Sequence, residues 1–174
     1  GQWWENEGQR ALANNSVAYK NKPEMGTFMR EWLSLYDSKS GERGIFNRQS
    51  AKVQAAKNGR RDADQDFGCN PCSEIILRPY QFCNLSEVVA RETDTLASLK
   101  EKVRLATILG TFQATLTNFK YLRNIWKANT EQERLLGVSL TGIMDCPALH
   151  KGKQVADTLE MLRVTAIDAN KSMA

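Results

Sequence analysis

Helix-period apolar stripes alternate with strand-length apolar runs along this 174-residue chain, and that alternation limits its fold more than any other feature. Three stripes have helical spacing. After Pro23 come Met25, Phe28, Met29, Trp32 and Leu35; the segment runs to Tyr36 and is closed by residues 37–41. After Asp94, a residue able to cap a helix, come Leu96, Leu99, Val103, Ala106, Leu109, Phe112 and Leu116. From Lys153 onward, Val155, Leu159, Leu162, Ala166 and Ala169 form the third. Each stripe is expected to pack into a core. The runs between them, residues 16–19, 74–77 and 135–140, are too short for helices and suit buried strands. The pattern predicts an α/β chain. Gly41-Glu42-Arg43-Gly44 and Asp66-Phe67-Gly68 read as turns, and the polar stretch 56–66 as an exposed connection. No internal repeat or low-complexity tract is present.

Charge and composition exclude several classes of function. The 24 Lys and Arg against 20 Asp and Glu leave a net charge of +4, too small to imply a nucleic-acid partner. The densest basic run, residues 57–61, is followed at once by Asp62, Asp64 and Asp66, as in a self-compensating solvated loop. Hydrophobic residues at 41% and charged residues at 25% are the balance of a soluble globular chain. No apolar stretch reaches the length of a membrane span, and the first residues, Gly1-Gln2-Trp3-Trp4-Glu5, do not read as a secretory leader. A cytoplasmic location is expected. Both ends read as cut, since the chain starts without Met and stops inside a helical pattern.

Four cysteines, Cys69, Cys72, Cys83 and Cys146, stand in a chain without a secretion signal, a setting where catalysis or metal binding is commoner than structural disulfides. Within five residues, Asn70, Cys72 and Glu74 gather a carboxamide, a thiol and a carboxylate. These are an orienting hydrogen-bonder, a hydrogen-atom or proton donor and a general base. Extended backbone would put Cys72 and Glu74 on one side, and a turn tipped by Asn70-Pro71 would aim both at one pocket. Cys83, eleven residues after Cys72, is far enough along for the chain to leave and return. Spacing alone leaves other readings open. Cys69 and Cys72 make a C-x-x-C pair, which serves as half a zinc site or as a thiol-redox motif; inert buried cysteines are a third reading.

The sequence Asn70-Pro71-Cys72-Ser73-Glu74 resembles the active-site finger loop of the ribonucleotide reductases. Residues 82–87, Phe-Cys-Asn-Leu-Ser-Glu, resemble the redox-cysteine strand that follows it in the adenosylcobalamin-dependent class. Residues 10–19, 40–48 and 136–142 also look like their counterparts, so the resemblance runs in order along nearly the whole chain. Pro71 distinguishes it from the class that uses a separate radical-generating subunit, where Leu is commoner; that class is the alternative within the family. Cys69 departs from the family, which often has another residue there, and neither it nor Cys146 is assigned a catalytic role.

The resemblance implies a fold and a chemistry. Residues 1–174 would be an internal part of a ten-stranded α/β barrel carrying the finger loop. Cys72 would become a transient thiyl radical and take the 3′ hydrogen of a ribonucleotide. Glu74 would accept the 3′ hydroxyl proton while the 2′ hydroxyl leaves as water, Asn70 would orient the substrate, and Cys83 would be one of two thiols ending as a disulfide. The expected cofactor is adenosylcobalamin; no metal site is expected. The expected partners are a ribonucleotide, by resemblance a triphosphate, a nucleotide effector and a thioredoxin-like reductant. The partner thiol of Cys83 and the phosphate-binding segment are not found in these residues, so the piece alone is not expected to turn over.

Overall fold

A computed structural model describes residues 3–11, 13, 16–39, 44–57, 59 and 61–174. The chain divides into two compact units, Gly1–Gln81 and Phe82–Ala174. Asn14, Asn15 and residues 40–43, which carry part of the family resemblance and one expected turn, lie outside the described residues, as do Asn58 and Arg60 of the basic run.

The first unit opens with two single-turn helices, α1 (Trp3–Asn6) and α2 (Gly8–Ala11). Strand β1 (Ser16–Tyr19) leads through α3 (Met25–Ser38) to β2 (Gly44–Asn47), and the two strands pair in parallel, Ser16 opposite Gly44 and Tyr19 opposite Asn47. A parallel pair needs a crossover of this length, which the helix supplies. Helix α4 (Arg48–Ala56) follows directly, its N-terminus closed by the Asn47 side chain accepting the Ser50 N–H at 3.0 Å. The strands β3 (Gly68–Cys69) and β4 (Ile76–Leu77) then form a short antiparallel hairpin. Phe46, Ala51, Ala55 and Phe67 are buried together, with Cys69 and Ile76 packed against them.

Two expectations for this unit are corrected. No residue of α3 is buried, and Met25, Met29 and Trp32 of its stripe are exposed; Phe28 instead stacks on Trp32 at 6.5 Å along the helix surface. Phe67, read as part of a turn, is fully buried, because Gly68 already starts β3 and turns the ring into the core. Of the acids after the basic run, Asp66 pairs with Arg48 and Asp64 with Lys52, both on α4. Arg61 donates to the Ile76 carbonyl at 2.9 Å and lies over the Phe67 ring, so one cation of the run is structural.

The second unit is built on β5 (Asn84–Val89) and β6 (Leu136–Thr141), parallel over six residues from Asn84 opposite Leu136 to Val89 opposite Thr141. Their crossover holds α5 (Leu96–Gln113) and α6 (Asn124–Glu133). A 3-10 turn (Ile143–Asp145), α7 (Pro147–His150) and α8 (Val155–Met173) complete it. Val88, Ala90, Leu99, Val103, Cys146, Leu149 and Leu162 make one contiguous core. Gly110 lets α5 approach the sheet, since a Cβ there would come within 2.3 Å of the Leu136 side chain. Gly142 turns the chain after β6 at φ +72, where a Cβ would sit 2.3 Å from the Ala90 carbonyl oxygen.

The cap of α5 is Thr95, not Asp94. Thr95 has extended backbone and exchanges hydrogen bonds with Ser98, the Ser98 N–H donating to its hydroxyl at 3.2 Å and its own N–H donating to Ser98 Oγ at 3.0 Å. Asp94 buttresses that box by accepting from Ser98 Oγ at 2.7 Å, from the Arg91 N–H at 2.8 Å and from Lys102. The Lys102 and Ser98 bonds, with smaller help from Arg91, hold its carboxyl at about 2, below the ordinary 3.8. The α5 and α8 stripes reach the core only in part: Leu109, Phe112, Leu116 and Leu159 are exposed. Among the described residues, no helix is long and apolar enough to cross a membrane.

Candidate functional site

Residues 70–75 form the loop that joins β3 to β4. Pro71 sits at the second position of a turn closed by the Ser73 N–H donating to the Asn70 carbonyl at 3.0 Å, the place where its fixed φ is already correct. Ser73 has φ +66, left-handed backbone that costs a non-glycine residue roughly 1–2 kcal/mol. Its hydroxyl lies 3.4 Å from Cys69 Sγ. The loop abuts the β1–β2 ribbon, because a Cβ on Gly44 would lie 3.8 Å from Ser73 Oγ.

Asn70 organises the loop with both ends of its amide. Its carbonyl oxygen accepts the Ile75 N–H at 3.0 Å, and its amide nitrogen donates to Glu74 Oε1 at 2.5 Å. Its backbone N–H donates to the Ile75 carbonyl at 3.3 Å, so one residue fastens both legs of the loop. Glu74 therefore stands in the turn and not in a strand, since β4 begins only at Ile76. Cys72 occupies the corner between Pro71 and Ser73 with its side chain exposed. The two thiols of the C-x-x-C pair are separated by role in the fold: Cys69 packs against the first unit's core, and Cys72 faces out.

Cys83 lies in the second unit, partly buried, one residue before β5. Of the segment 82–87, Phe82 and Cys83 thus precede the strand and residues 84–87 lie in it. Asn84, the first strand residue, donates its N–H and its side-chain amide to the Leu135 carbonyl at 2.8 and 3.2 Å. Cys146 is fully buried in the same unit's core. None of the four cysteines is in a disulfide, and among the described residues no three His, Cys, Asp or Glu side chains are grouped to hold a metal ion.

The spacing of Asn70, Cys72 and Glu74 was readable in the sequence, but the way the loop is held was not. The positive φ of Ser73, its contact with Cys69 and the support of β4 by Arg61 leave no local sequence signal; only Asn-Pro announced the turn.

A turn that presents a thiol at its corner and a carboxylate tied to a carboxamide beside it, on an α/β scaffold, defines a thiol-bearing class of α/β chain. The comparisons narrow this. Over 158 residues, 87% of its length, the chain is 31% identical to the adenosylcobalamin-dependent ribonucleoside-triphosphate reductase of Lacticaseibacillus paracasei. Over 143 residues, 78% of its length, it is 31% identical to the enzyme of the same name from Lactobacillus acidophilus. The chain is thus a relative of the adenosylcobalamin-dependent ribonucleotide reductases, and it spans about a fifth of the length of these curated relatives, 20% and 18%. No family model and no solved structure matches it.

Proposed function

We propose that the chain is part of the catalytic barrel of an enzyme that reduces ribonucleoside triphosphates to 2′-deoxyribonucleotides with adenosylcobalamin, supplying precursors for DNA. The observation that carries this reading is the Asn70-bridged loop, which ties Glu74 to Asn70 beside the exposed corner that bears Cys72. The named relatives support the reaction and the cofactor. The parallel β–helix–β unit in each half of the chain is the element from which an α/β barrel is assembled.

Adenosylcobalamin, when bound, supplies the radical that protein groups do not make alone. The residues present fit such a partner in one respect: Cys72 is exposed at a turn corner, open to a bulky hydrogen-atom acceptor. Cys72, as a thiyl radical, takes the 3′ hydrogen of the ribose and becomes a thiol; when it gives that hydrogen back to C3′ it is a thiyl radical again. Glu74 accepts the proton of the 3′ hydroxyl, and the 2′ hydroxyl departs as water. Asn70, which already holds Glu74, keeps the carboxylate turned to the substrate. Cys83 and a second thiol together give up two electrons and two protons to the sugar and become a disulfide, which a thioredoxin-like dithiol reduces. A nucleotide effector and a cytoplasmic location complete the reading.

The test is ribonucleoside-triphosphate reduction by the full-length enzyme that contains this chain, with adenosylcobalamin and a dithiol. Glu74→Gln is expected to lower kcat by roughly 10²–10⁴-fold, the usual contribution of a positioned acid–base group. Turnover at the unmodified rate would remove Glu74 from the mechanism.

A further inference from the structure

The second unit carries an aromatic cluster that the proposed chemistry does not use. Phe82 stacks on Trp126 of α6, with ring centroids 4.7 Å apart and planes inclined 29°, and meets the edge of Phe119 at 5.1 Å and 63°. Trp126 and Thr130 are four residues apart and share a face of α6. Thr130 is buried, and its hydroxyl oxygen accepts the Phe82 N–H at 3.5 Å. Phe119 is carried by a connection tied to the same helix, where Thr117 donates to Glu131 at 2.7 Å. Phe82 is nevertheless 39% exposed, so the cluster lies at the surface of the unit and fills no core.

What the cluster grips is the residue before Cys83. The residue after Cys83, Asn84, is fixed twice to the Leu135 carbonyl. A cysteine flanked on one side by a ring clamp and on the other by the start of a strand has little backbone freedom left. A thiol that must meet a second thiol and a substrate gains from that restriction, since a misplacement of about 1 Å can cost roughly a hundredfold in rate.

We infer that Trp126 and Phe119 are positioning residues for the Cys83 thiol, acting through Phe82. The inference deepens the redox role proposed for Cys83 and rests on it. Aromatic pairs of this geometry hold a local segment closed by a factor of roughly three to ten over mere burial. Losing one partner therefore frees Cys83 without opening the core around Cys146, which is fully buried in the same unit.

The experiment is site-resolved alkylation of the full chain with iodoacetamide, read by mass spectrometry. Trp126→Ala is expected to raise the rate at Cys83 roughly three- to tenfold, Trp126→Phe to leave it within about twofold, and Cys146 to stay protected in both. Phe119→Ala, which leaves α6 intact, is expected to act in the same direction. An unchanged Cys83 rate in both alanine variants overturns the inference. So does a parallel rise at Cys146, because the unit as a whole would then have loosened. Failure of the underlying redox role is seen separately: Cys83→Ser would keep normal nucleotide reduction while the alkylation pattern still held.

Discussion

The two units of the chain spend their apolar residues differently. The second has six-residue strands, a capped eighteen-residue helix and seven buried residues in one core. The first, among the described residues, has strands of four and two residues, a four-residue core and a fourteen-residue helix with nothing buried, whose Trp32 and Tyr36 are 55% and 75% exposed. The Asn70–Glu74 loop belongs to the sparser unit and is held by polar bonds and one left-handed residue, not by packing. Local stability follows buried apolar contact, so backbone amides of α5 and β5 are expected to exchange far more slowly than those of α3. The loop proposed to carry Cys72 and Glu74 is thus held by a few specific bonds, while the larger apolar core lies in the other unit.

Substitutions can break or sharpen that contrast. The largest effect is expected at Leu99, which is fully buried at the centre of the second core. Leu99→Ala should cost about 3 kcal/mol, within the range for large-to-small core changes, read by denaturant unfolding. A loss below about 1 kcal/mol would mean that this core does not carry the unit.

Gly142→Ala should cost about 2 kcal/mol in the same assay, because its φ of +72 is unfavourable for alanine and its Cβ would meet the Ala90 carbonyl oxygen, a backbone atom that cannot rotate away. A neutral result would show that the turn after β6 can be rebuilt.

The smallest effect concerns pH. The folded carboxyl of Asp94 titrates at about 2, below its ordinary 3.8, so the fold favours its charged form. The stability it contributes is complete above the unfolded value and is lost as pH falls from about 4 towards 2. Asp94→Asn should be less stable near neutrality and lose less on acidification across that window. Parallel pH profiles for the two proteins would assign the acid sensitivity to other groups.

Much of the architecture was legible in the residues, and the places where it was not are instructive. Residues 16–19 and 135–140 read as strands because apolar runs of that length suit a parallel pair; the first is a strand and the second holds one that starts at Leu136. Helices α4 and α6 gave no apolar stripe: α4 is fixed by Asn47 and by Arg48 and Lys52 pairing with later aspartates, contacts that become visible only once the chain has folded back. Periodicity misled at α3, since a helical stripe reports that a face is apolar and not that it is covered. Asn70, Cys72 and Glu74 were singled out by residue type and spacing, and the fold joins Asn70 to Glu74. Cys83 was singled out by its spacing from Cys72, with its redox role given by resemblance; its anchoring depends on residues more than thirty positions away, which no local pattern announces.

The central claim is a division of labour between Cys72 and Cys83, and release of tritium from a 3′-labelled ribonucleoside triphosphate tests it most directly. The full-length enzyme that contains this chain and its Cys72→Ser and Cys83→Ser variants are assayed with adenosylcobalamin, with product formation followed in parallel. Cys72→Ser is expected to release no tritium and form no product, because an oxygen–hydrogen bond is too strong to support the thiyl step. Cys83→Ser is expected to release tritium and yet make no deoxynucleotide at normal turnover, because only the reducing pair is broken. Tritium release by Cys72→Ser, or normal product formation by Cys83→Ser, would contradict the account.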